Sequence, residues 1–266
     1  MHVTELDASV VKPIIAFTVL VALLAWESVA PYFSFFRGHA RQRAVHAVRN
    51  FTLAVLNAVV GAIVLATLWT WVTQWSARHE FGVLHWLPLG VVGNLVVGIL
   101  LFDAWMYAWH RLNHRVSFLW RWHRVHHSDP QMDVTTAHRF HIGEIVLSGL
   151  LRAPVLLLLG MSLTDLALYE TLMFAVVQFH HANVALPPAL DRALRTIIVT
   201  PNLHKVHHSR LRVETDSNYS SLFSWWDRLF GSLRLRTDPH SIEFGLPEFA
   251  GSEHQTLSGM LKMPGR

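Results

Sequence analysis

The chain has 266 residues, of which 52% are hydrophobic and 15% charged, and its formal net charge is +4. That balance suits an integral membrane protein better than a water-soluble globule, and basic residues dispersed between apolar runs do not make a nucleic-acid surface. With no cysteine, disulfides and thiolate-held zinc or iron–sulfur sites are excluded, so a metal site must be built from histidine and carboxylate.

Residues 10–26, VVKPIIAFTVLVALLAW, form a first apolar run that Pro31 closes. A basic start and a small-residue cleavage site are lacking there, so the run is expected to stay as a span and not to be cleaved as a signal peptide. A second run covers 51–75 and a third 84–109, interrupted by Pro88 and Asp103. Each can cross a hydrocarbon core of ~30 Å, which takes ~20 helical residues. The fourth apolar region, 145–179, exceeds one span and falls short of two, with MSLTD near its middle. It predicts a helical hairpin whose second arm is capped by Ser162 or Thr164. Arg37, Arg41, Arg43 and Arg49 follow the first span, against Arg78 alone after the second. By the positive-inside rule the first loop is cytoplasmic, and so is the end of the third span. The expected fold is therefore an all-α integral membrane protein of about four transmembrane helices, with a cytoplasmic helical cap.

Nineteen histidines are the anomaly. His2, His39, His46, His79, His85, His240 and His254 stand alone and read as scatter. The other twelve fall between His110 and His208. HRLNH holds His110 and His114 one helical turn apart, and HRVHH holds His123, His126 and His127 at i, i+3 and i+4. AHRFH adds His138 and His141, FHHAN adds His180 and His181, and HKVHH adds His204, His207 and His208 behind Pro201, a plausible helix start. Two HxxHH triplets beside an HxxxH pair exceed what one ion needs, which indicates two metals. Neutral imidazole suits zinc, copper, iron and nickel alike. A hairpin at 145–179 would bring both triplets to one side of the membrane, where they can share a site. Asp103, Asp129, Asp133, Glu144, Glu170, Asp216 and Asp227 are candidates to accept the rings' other N–H groups. Asp103 lies seven residues before His110 and Asp227 in a Trp-Trp-Asp-Arg group.

These motifs, with the longer phrases HRVHHSDPQMDVTTAHRFHIGE, QFHHANVALPPALD, VTPNLHKVHHS and ETDSNYSSLFSWWDRLFG, resemble the fatty acid hydroxylase and sterol desaturase superfamily over roughly residues 95–235. The resemblance implies two iron ions facing the cytoplasm and held by His110, His114, His123, His126, His127, His141, His181, His204, His207 and His208, with His138 and His180 as further neighbours. It implies O2 as co-substrate and hydroxylation or desaturation of a lipid such as a sterol, fatty acyl chain or carotenoid. Ile142 departs from the family's usual proline after His141. The division expected is 1–95 for N-terminal spans, 96–235 for a catalytic domain and 236–266 for a tail. Without haem-, flavin- or nicotinamide-binding motifs, electrons are expected from a separate donor of cytochrome b5, ferredoxin or rubredoxin type, or from a diffusible reductant. A membrane zinc hydrolase would place a catalytic carboxylate inside a histidine motif, as in HExxH, and none of the groups has one. A metal transporter or other metal-binding protein would spread histidines through several spans.

Overall fold

A computed structural model describes residues 8–266, with side chains from residue 12 onward. The described residues are helical and contain no strand beyond isolated bridges. Four helices are long and apolar enough to cross a membrane: α1 (Ala8–Val29), α2 (Ala40–Val64), α5 (Gly90–Arg115) and α7 (Ile142–Leu159). Their outer faces carry bare Phe17, Ile63, Val91 and Val92. Apolar surface of that extent belongs against lipid.

The second apolar run is not one helix. α2 starts at Ala40, so Arg41, Arg43 and Arg49 lie on its first turns and not in a loop, and the helix breaks at Leu65 before α3 (Ala66–Arg78). A short α4 (Val83–Trp86) precedes Pro88, and α5 then runs without a break through His110 and His114.

The fourth region is a hairpin. α7 ends at Gly160, whose φ of +74° is left-handed backbone that glycine adopts without a Cβ penalty. Ser162 then caps α8 (Leu163–His181) by accepting from Asp165 N–H at 3.1 Å. α7 crosses the α2–α3 break at Gly149, where an added Cβ would come within 2.1 Å of Leu65. Trp69 donates its indole N–H to the Gly149 carbonyl at 2.8 Å. Phe102, Met106, Trp109, Leu156 and Tyr169 form the core that α3, α5, α7 and α8 share.

At one end of this bundle sit α6 (Ser117–His127), a 3-10 helix (Val134–His138), α9 (Pro188–Leu194), α10 (Pro201–His207), α11 (Arg212–Thr215), α12 (Trp225–Leu229) and α13 (Leu257–Lys262). Pro201 takes the first position of α10, as its missing N–H favours. The last residues do not hang free: Phe249, Met260 and Met263 pack on Leu53 and Val125, and Gln255 accepts from Arg139 at 2.7 Å.

Candidate metal centre

The hairpin returns α8 to the end of the bundle where α5 finishes, and α6 and α10 close over both. Two groups of histidines result. His110, His114, His123, His127 and His207 form one, and His126, His181, His204 and His208 the other. Within each group, ligand-capable atoms lie within 4.8 Å of one another. The two HxxHH triplets each split: His123 and His127 face one group and His126 the other, while His207 and His204 with His208 divide likewise.

The ring nitrogens are too close for unassisted imidazoles. His110 and His207 bring their Nε2 atoms to 3.0 Å. Yet His110 Nδ1 lies 2.7 Å from the Tyr219 carbonyl and His207 Nδ1 2.7 Å from the Ser217 carbonyl. A carbonyl only accepts, so each Nδ1 carries the proton and each Nε2 of the neutral ring is a bare lone pair. His181 is set the same way by the Val177 carbonyl at 2.7 Å, and its Nε2 stands 3.1 Å from His126 Nε2 and 3.0 Å from His204 Nε2. Facing lone pairs repel unless a cation lies between them. Nitrogens sharing an ion at ~2.0–2.1 Å stand roughly 3.0–3.4 Å apart, so the donor set fits two metal ions. Protonation does not relieve the contact. Burial, with the neighbouring rings, holds His126, His127, His204 and His208 well below the usual histidine range and His207 at about 3.

Carboxylates and backbone hold the rings from behind. Glu144 accepts from His123 Nδ1 at 2.8 Å, and Asp216 lies 3.5 Å from His114 Nδ1. Asp227 touches no histidine. It accepts from the N–H groups of Tyr219 (2.7 Å) and Ser220 (3.0 Å) and from the Ser232 hydroxyl (2.8 Å), so it fixes the loop whose carbonyls aim His110 and His207. Asn218 completes that loop at φ +53°, its amide bridging the Leu203 and Arg234 carbonyls. Asp103 touches no histidine either. Inside α5 it accepts from Tyr169 (2.7 Å), Trp226 (2.7 Å) and the Phe223 N–H (3.1 Å), which ties α8 and the α12 segment to α5.

Three predicted histidines lie outside both groups. His141 caps α7: its Nδ1 accepts from Gly143 N–H at 2.9 Å and its Nε2 meets the Leu261 carbonyl at 3.1 Å. His138, in the 3-10 helix, faces Phe51 and Phe174. His180 is buried with neither ring nitrogen partnered among the described residues, its ring centre 3.8 Å from that of His204.

His46, which reads as scatter in the sequence, has a structural partner. It is buried on α2 and meets both oxygens of Asp129 at 2.9–3.0 Å, with Asp133 at 3.6 Å. Asp129 stands two residues beyond the HRVHH triplet, so this pair ties the end of α6 to α2. Burial alone would raise the Asp129 carboxyl, but His46, Arg139 and the Thr136 hydroxyl together hold it below the usual carboxylate range. An isolated histidine carries no periodic signal, and only the partner 83 residues away reveals it.

A cavity of about 450 Å³ opens from the histidines into the bundle between α2, α5, α7 and α8. Met106, Trp109, Phe140, Met173 and Phe174 line it beside His110, His123, His126 and His181, and Arg152 stands deeper along its wall. Its size and mainly apolar lining suit a lipid chain.

The fatty acid hydroxylase family profile matches residues 95–232, just over half of the chain. An ornithine lipid hydroxylase from Rhizobium tropici is 30% identical over 153 residues, 58% of this chain and 45% of that protein. The alkylglycerol monooxygenase of Homo sapiens is 31% identical over 147 residues, 54% of this chain and 31% of its own length. A cholesterol 25-hydroxylase-like protein of Danio rerio is 31% identical over 188 residues, 69% of this chain and 70% of its own. The chain thus spans less than half the length of the first two relatives. No solved structure matches it.

Proposed function

This chain belongs to the fatty acid hydroxylase family, and on that premise we propose that it is a membrane lipid hydroxylase with a di-iron centre. His110, His114, His123, His127 and His207 would hold one ion, and His126, His181, His204 and His208 the other. The observation that carries the reading is that His110 Nε2 faces the bare Nε2 atoms of His207 at 3.0 Å and His123 at 3.1 Å, contacts that favour a cation between the rings, beside a second group of four buried histidines. Iron so held would supply the reduction of O2 and the oxidising power to attack an unactivated C–H bond. The overall change is R–H + O2 + 2 e⁻ + 2 H⁺ giving R–OH + H2O, and hydroxylation is favoured over desaturation because the relatives named are hydroxylases and a monooxygenase.

The chain's own groups prepare the site. The carbonyls of Ser217, Tyr219 and Val177 and the carboxylate of Glu144 accept Nδ1–H protons, leaving each Nε2 free to bind metal. Met106, Trp109, Met173 and Phe174 take up the apolar chain and keep water from the ions. The two electrons come from a separate donor protein or a diffusible reductant, and the centre faces the cytoplasm with the arginines of α2. No carboxylate stands among the grouped ligands, which disfavours a zinc hydrolase.

Metal analysis of the purified protein tests the proposal together with O2-dependent lipid products in cells expressing it or His126→Ala. Two irons per chain and a hydroxylated lipid lost in the variant are expected. One zinc per chain, with hydrolysis and no O2 dependence, would overturn it.

A further inference from the structure

Arg152 has no part in the metal centre. It stands inside α7, eight residues beyond Glu144, which is roughly 12 Å of helix rise. It borders the cavity that opens on the histidines. Its Nη1 donates to Glu170 of α8 at 2.9 Å, and its guanidinium lies 5.8 Å from the centre of the Trp69 ring. Its Nε is buried with no partner among the described residues. Glu170 also receives the ammonium of Lys12 from α1. Glu170 is eleven residues before His181, roughly 16 Å of helix, so both helices place this trio at a similar depth from the histidines.

Two cations share one carboxylate there, at 16% exposure for the Arg152 side chain and 15% for Glu170. Ionisable side chains within a membrane span are costly and are retained where something pairs with them. Among the described residues Glu170 is the carboxylate that meets either cation, and it balances one of the two positive charges. The other is left at the far end of a cavity whose walls are otherwise mainly apolar, on a guanidinium with donors still unused.

We propose that Arg152 anchors the head group of the substrate, and that the substrate is a single-chain amphiphile with an anionic oxygen head. The head completes the charge of the Lys12–Glu170–Arg152 trio, and the chain runs back along the cavity to the histidines. The carbon that is oxidised is then set by its distance from the head, roughly 12–16 Å by the two helix rises. This assignment rests on the reading of the histidines as an oxygenase centre. A neutral lipid would leave the surplus charge unpaired.

The test is binding to the whole chain in phosphatidylcholine nanodiscs at pH 8, read by energy transfer from the protein's tryptophans, of which Trp109 lines the cavity. The probes are cis-parinaric acid, whose carboxylate is ionised, and its methyl ester, which has the same chain. Wild type is expected to bind the acid about tenfold or more tighter than the ester. Arg152→Gln should bring the ratio close to one without weakening the ester, and Arg152→Lys should keep part of it. A purely structural clamp between α7 and α8 would not distinguish acid from ester. A ratio near one in the wild type, or a ratio that survives in Arg152→Gln, overturns the assignment. The wild-type comparison decides even if Arg152→Gln does not fold. Binding is read without turnover, so the two readings fail separately: two irons and lipid oxidation without acid preference sink only the anchor. Acid preference in a protein that takes up no iron sinks the oxygenase centre.

Discussion

Asp227→Ala is expected to weaken metal binding although Asp227 touches no ligand. Its carboxylate accepts three hydrogen bonds, from Tyr219 N–H, Ser220 N–H and the Ser232 hydroxyl, at 2.7, 3.0 and 2.8 Å. Bonds to a charged acceptor contribute about 1.5–3 kcal/mol each, and two of these donors are backbone groups that would be left buried without partners. Partial rescue by water reduces the sum, so a loss of about 4 kcal/mol is expected, a large share of the usual 5–15 kcal/mol. The second effect is local. The loop that Asp227 fixes aims the Tyr219 and Ser217 carbonyls at His110 and His207, and losing such outer support costs about 10–100-fold in metal affinity. The assay is competition for iron between a colorimetric chelator and the detergent-solubilised protein, beside thermal unfolding of the metal-free form. The group containing His110 and His207 should lose its ion first, so stoichiometry falls from two towards one. A destabilised Asp227→Ala that keeps wild-type affinity for both ions would refute the idea that this loop orients the rings.

Glu144→Gln retains an oxygen that can accept from His123 Nδ1, so it should keep two ions with affinity down about tenfold, whereas Glu144→Ala should lose up to ~100-fold, both read by the same competition. His141→Ala should leave two ions bound, because both ring nitrogens already serve backbone groups. It should cost about 1–2 kcal/mol in thermal or denaturant unfolding through the lost helix cap. Loss of an ion in that variant would instead make His141 a ligand. For the metal-free protein, acid should destabilise. His126, His127, His204, His207 and His208 stay neutral when folded and take up protons when unfolded, so stability is complete above the unfolded value of about 6.5 and falls as pH drops towards the folded values, about 3 for His207. The metal-free protein is therefore expected to be less stable at pH 5.5 than at pH 8. A melting temperature that does not fall between pH 8 and 5.5 would contradict it.

Much of the site was legible because its signal is local. HRVHH and HKVHH repeat one spacing, and i, i+3, i+4 on a helix puts three imidazoles on one side whatever the fold. The hairpin was legible in part: an apolar region too long for one span and too short for two leaves a single tilted span open, and the two triplets, which can share a site only on one side of the membrane, favour the turn back. The split of the first triplet is foreshadowed in the sequence, since adjacent His126 and His127 diverge enough to serve two neighbouring ions, but which rings of the other helices each one meets is decided only by the fold. His141 looks like its companions in sequence, yet it sits at the start of α7, where the Gly143 N–H and the Leu261 carbonyl take its ring. Asp103 and Asp227 were candidates for contact with the rings, and each proves to act one step away, through Tyr169 and Trp226 or through the Tyr219 loop.

What the sequence determined by itself is the inventory: apolar lengths that must leave water, an all-helical chain whose backbone is satisfied within each span, and a histidine count that demands metal. Tertiary structure decided which histidines meet, which carbonyl sets each tautomer, and that His46 and Arg152 matter at all. The physical reason is distance along the chain. His46 meets Asp129 across 83 residues and His110 meets His207 across 97, and no local pattern encodes a contact made only when the bundle closes.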